Sequence, residues 1–99
     1  MEILLVVHGF VQGVGYRHFV RSSAEKNGIL GEVQNMPDGS VRIIAKGSKE
    51  DLASFEKEIQ IRSNNGPDVM YIEKYAEGSS KFPKGVVVDS GFRIIKDRT

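Results

Sequence analysis

Ninety-nine residues are enough for one modest hydrophobic core and too few for two. Fourteen basic against thirteen acidic residues give a formal net charge of +1, without the basic excess that a general nucleic-acid binder gathers on one face. Hydrophobic residues at 39% argue against disorder, and the lack of cysteine excludes disulfides, thiolate catalysis and cysteine-held zinc.

In chain order, Ile3–Val7 (ILLVV) is a continuous apolar run bounded by Gly9. It reads as a strand buried on both faces, hence central in a sheet. It is too short to cross a bilayer and lacks the basic start of a signal peptide, so a cytoplasmic chain with no membrane contact is expected. Gly9, Gly13 and Gly15 follow within seven residues. Phe19, Val20, Ser23, Ala24 and Asn27 then recur at helical spacing and Gly28 supplies a stop, predicting a helix over about Tyr16–Asn27. EVQNMPDGSVRIIAKG reads as a hairpin: Val33 and Asn35 share one side, Pro37-Asp38-Gly39 makes the turn, and Val41, Ile43 and Ala45 alternate in the return strand. Ser48 is a candidate N-cap for a second helix with Leu52, Phe55 and Ile59 on its apolar stripe. Val69–Tyr75 reads as a strand, residues 76–91 as a Gly- and Ser-punctuated loop with a candidate short strand at Val86–Val88, and Phe92–Lys96 as a last strand.

No repeat or linker divides the chain, so residues 1–99 read as a single domain. The order β-α-β-β-α-β plus a C-terminal strand is that of an α+β, ferredoxin-like split βαβ sandwich: an antiparallel sheet with two helices on one face. Right-handed crossovers would place the first and third strands side by side in its centre.

The glycine-rich stretch VHGFVQGVGYR (Val7–Arg17) fits none of the common nucleotide loops. The Walker pattern fails because the sixth position from Gly9 is Val14, and the dinucleotide fingerprint fails because position 18 is His. GYRHFV only faintly echoes an RNA-binding strand, since Arg17 stands where a small residue is expected and the segment opens a helix. Backbone N–H groups from Gln12, Gly13, Val14, Gly15, Tyr16 and Arg17 could form a cradle for an anion, favoured by the helix dipole, with the planar Arg17 fork at its mouth. On these residues alone, a plain glycine connection carrying a solvated arginine is the favoured reading, because most arginines are simply solvated.

Taken whole, VHGFVQGVGYR resembles the signature of the acylphosphatase family, matching at Val7, Gly9, Val11, Gln12, Gly13, Val14, Tyr16 and Arg17. A second family signature is met by Gly31, Val33, Gln34, Asn35, Gly39, Val41 and Gly47, with a departure at Glu32, where an aromatic ring is usual. The resemblance runs to about Ile59 and resumes at GFRIIK, leaving Gly66–Gly91 the least similar part.

It implies hydrolysis of acyl phosphates to a carboxylate and inorganic phosphate. The loop and Arg17 would hold the phosphoryl group, and Asn35 would orient a water. The leaving carboxylate, with a conjugate-acid pKa of about 4, departs without a general acid, so neither metal nor other cofactor is expected. Tyr16 is expected to pack beneath the loop and Gln12 to contribute mainly its backbone N–H. His8 and His18 have no companions at metal-ligand spacing and read as packing or surface residues. The expected partner is a small-molecule acyl phosphate bound by a monomer, with no nucleic acid. The family also includes domains fused within larger proteins, so a non-catalytic anion-binding or regulatory module is the alternative. The initial Met and the absence of zinc-finger cysteines favour the free-standing enzyme.

Overall fold

The computed structural model describes residues 1–86 and 88–96. Its elements are β1 (Glu2–Phe10), α1 (Tyr16–Lys26), β2 (Leu30–Asn35), β3 (Val41–Lys46), α2 (Lys49–Glu58), β4 (Asp68–Ala76) and β5 (Phe92–Ile95). The sheet order is β4-β1-β3-β2-β5, which sets the first and third strands side by side as the crossover rule requires. β4, β1, β3 and β2 pair antiparallel. The C-terminal strand β5 adds to β2 in parallel, with Gly31 opposite Phe92 and Gln34 opposite Ile95.

Alternation along the strands decides what is buried. Ile3, Leu5 and Val7 of β1 join Val33, Val41, Ile43, Ala45 and Phe92 in one core. Tyr16, Val20 and Ala24 of α1 and Leu52 and Phe55 of α2 enter the same core, so both helices cover one face of the sheet. The apolar stripe expected for the second helix is buried, including Ile59, which caps it. Ser48 is its N-cap, accepting from the Asp51 amide at 3.1 Å.

The first helix stops one residue earlier than the periodicity predicts. Asn27 caps it, and bonds from Gly28 N to Glu25 O and from Ile29 N to Ala24 O close the last turn. Neither Val86 nor Val88 lies in a strand, and Val87 is outside the described residues. The expected short strand is thus absent at Val86 and Val88, which lie between β4 and β5 at opposite edges of the sheet.

Gly9 shows why one of the three early glycines is needed. The register between β1 and β4 shifts between His8 and Gly9, with Gly9 at φ 140°. A Cβ there would lie 2.3 Å from the Asp68 carbonyl oxygen. Only glycine lets the two backbones approach so closely where the strand feeds into the loop.

Candidate active site

After Phe10 the chain leaves the sheet through Val11, which is buried, bends through residues 12–15, and enters α1 at Tyr16. Gly13 and Gly15 have φ of 75° and 79°, and a Cβ at either would meet nothing within 4 Å. Their role is conformational: a left-handed backbone that turns the loop directly onto the helix axis. Val14 packs against the core and holds the loop down between the two glycines.

The helix N-terminus that this loop creates is uncapped. Gly15 offers no side-chain cap, and no acidic residue lies in the first turn. Among the described residues, the amides of Gln12 through Tyr16 donate to no protein acceptor. The positive end of the helix dipole therefore meets solvent with its donors available to an anion.

Tyr16 lies beneath the loop, 1% exposed, and donates from its hydroxyl to the Ile59 carbonyl at 2.9 Å. Burial pushes its phenol upward, so it stays a neutral donor. Removing this hydroxyl strands a buried acceptor. Tyr16→Phe is therefore expected to lower stability by about 1–2 kcal/mol. A drop in the urea midpoint at unchanged m-value would register it.

Gln12 spends its side chain on structure. Its Nε2 donates to the carbonyls of Met36 and Ser40, both at 2.8 Å, fastening the loop to the turn between β2 and β3. What Gln12 offers the loop interior is its backbone N–H. Asn35, the last residue of β2, sits opposite Val41 and shares the helix-covered face with Val33. Its side-chain oxygen is buried. Arg17 donates from Nη1 to the carbonyl of Ile95 at 3.2 Å, and Ile95 is the register partner of Gln34.

These tethers bracket Asn35. Gln12 ties the loop to the residue after it, and Arg17 reaches the strand partner of the residue before it. The loop and the Arg17 guanidinium are thus both fastened near the end of the sheet where β2 stops at Asn35. Met36, Ser40 and Ile95 act here through main-chain carbonyls, which leave no trace in residue type.

The family model for acylphosphatase matches residues 3–94. The chain belongs to the acylphosphatase family. The match includes the stretch from Gly66 to Gly91, where the sequence motifs fade. An acylphosphatase of Actinobacillus pleuropneumoniae is 39% identical over 79 residues, 80% of this chain and 88% of that protein. The crystal structure of acylphosphatase from Bacillus subtilis superposes with a TM-score of 0.75 at 33% identity, covering 96% of this chain and 98% of that one. HypF from T. kodakarensis gives a TM-score of 0.76 at 26% identity, with all of this chain covered by only 12% of that protein.

Within the acylphosphatase frame, the departure at Glu32 is accommodated by charge. Glu32 is 8% exposed, and its Oε1 accepts from Arg93 Nη2 at 3.3 Å, the two residues being direct partners on β2 and β5. His8 stacks on Tyr71 with ring centroids 4.3 Å apart, and its Nε2 lies 2.6 Å from Glu73 Oε2. Hydrogen bonds from Tyr75 and then His8 hold the Glu73 carboxyl below its ordinary range. This group alternates onto the sheet face away from the helices, whereas Asn35 faces them. His18 is exposed on α1. Among the described residues, no three His, Asp or Glu side chains cluster as metal ligands, and no helix is long and apolar enough to cross a membrane.

Proposed function

We propose that this chain hydrolyses acyl phosphates to a carboxylate and inorganic phosphate. The observation that carries the reading is the pair of tethers that bring the uncapped loop and Arg17 to either side of Asn35. The amides of residues 12–17 converge on the phosphoryl oxygens, and the Arg17 fork matches the charge spread over them in the transition state. Asn35 accepts a hydrogen bond from a water and aims it at phosphorus, in line with the leaving oxygen.

The water oxygen forms a bond to phosphorus as the phosphorus–acyl oxygen bond breaks. The electron pair leaves on the carboxylate, which is stable without protonation, and the water's proton passes to a phosphoryl oxygen. A neutral amide is too weak a base to take that proton, so the substrate does. Phosphoryl transfer of this kind rests on positioning and electrostatics, which a small rigid cradle supplies.

The same reading takes residues 1–99 as one domain acting as a cytoplasmic monomer without metal. Purified protein with benzoyl phosphate and a chelator tests it. Turnover is expected to persist with chelator present. Phosphate binding without turnover would point to a non-catalytic anion-binding or regulatory module, and loss of turnover on chelation would contradict the metal-free mechanism.

A further inference from the structure

Beside Arg17 lies a surface groove of about 370 Å³ lined by Arg17, His18, Arg21, Ile94 and Lys96. Among the described residues, no acidic side chain lines it. Four cations elsewhere are paired with carboxylates, Lys26 with Glu58, Arg62 with Asp68, Lys74 with Glu56 and Arg93 with Glu32, while several described surface lysines are not. Among the described residues, Arg21 and Lys96 enter no ion pair. Two cations that pair with no described carboxylate therefore share one concave surface with the guanidinium assigned to the phosphoryl group.

Their placement follows from the fold. Arg21 stands one helical turn beyond Arg17 on the same face of α1, about 6 Å along the axis. Ile94 and Lys96 come from the end of β5, which Arg17 fastens to the helix through the Ile95 carbonyl. The groove thus runs from the Arg17 end, past a half-buried Ile94, to a second positive pole.

Resting on the hydrolytic reading above, we infer that this groove receives the acyl portion of the substrate and that Arg21 and Lys96 select acyl groups bearing a second anionic group. The phosphoryl group sits in the loop, the carbon skeleton lies over Ile94, and the distal anion meets Arg21 and Lys96. A neutral acyl group gains only the apolar contact. Arg21 is half-buried, so its charge is less screened than that of a freely solvated side chain.

Benzoyl phosphate and 4-carboxybenzoyl phosphate test this, because they share a ring and differ by one carboxylate. The readout is the ratio of their kcat/KM values in wild type, Arg21→Gln and the Arg21→Gln/Lys96→Gln double variant. The ratio, carboxylated over neutral, is expected to fall about 3- to 5-fold in the single variant and further in the double, the scale of one or two partly exposed ion pairs. An unchanged or increased ratio in the double variant overturns the inference, including the case where both substrates weaken equally. Hydrolysis of neither compound by wild type overturns the hydrolytic reading itself and this inference with it. Hydrolysis of both with a fixed ratio sinks the selectivity alone.

Discussion

Arg17→Ala is expected to lower kcat/KM for benzoyl phosphate by about a thousandfold or more, the scale on which a transition-state arginine contributes to phosphoryl transfer. The loop amides are fixed dipoles, whereas Arg17 brings a full positive charge in a planar fork that matches two phosphoryl oxygens. Without it, the dianion is held by amides and the helix end alone. Arg17→Lys keeps the charge but not the fork, so it should recover only a small part of the loss. The arginine also bonds the Ile95 carbonyl, which gives it a structural task. The two tasks separate by measurement. Losing that bond should cost at most about 1–3 kcal/mol of stability, so the variant stays folded well below its unfolding temperature. Activity per folded molecule should still collapse, and free guanidinium at sub-denaturing concentration should restore part of it. A variant that remains folded and retains wild-type turnover would remove Arg17 from the chemistry.

The fold was largely legible because its elements are locally consistent. The ILLVV run, the helical spacing from Phe19 to Asn27, the PDG turn and the Ser48 cap each point to the element observed. What failed was the strand expected at Val86–Val88, where β-branched residues suggest one but Val86 and Val88 lie in the connection between strands at opposite sheet edges. Local propensity loses to connectivity there. The parallel addition of β5 to β2 was equally invisible, since pairing partners are not written in residue type.

The candidate site divides in the same way. Arg17, Asn35 and the glycines carry side-chain identities or a lack of side chain that announce themselves in sequence. The bonds that assemble them end on carbonyls of Met36, Ser40 and Ile95, which any residue could provide. Glu32 illustrates a further limit. A buried carboxylate reads as a fault until Arg93, 61 residues later in the chain, is seen beside it.

Asn35→Ala is expected to lower kcat by about a hundredfold or more while KM and inhibition by phosphate shift only a few-fold, on the scale of removing one oriented hydrogen-bonding group. The asymmetry follows from its assignment: Asn35 touches the attacking water, and the loop and Arg17 touch the phosphoryl group. An interaction made chiefly in the transition state appears in kcat and not in ground-state binding. Asn35→Asp sharpens the test, since it keeps an acceptor of the same shape and adds charge. The ionised carboxylate would repel the dianionic substrate and raise KM. Protonation removes that repulsion, so KM for Asn35→Asp should fall as pH falls through the new carboxyl's pKa, with no matching trend in wild type. If Asn35 served only to finish the hairpin, Asn35→Ala would lower stability and leave kcat per folded molecule untouched. Equal losses in kcat and phosphate affinity would instead move Asn35 from the water to the anion.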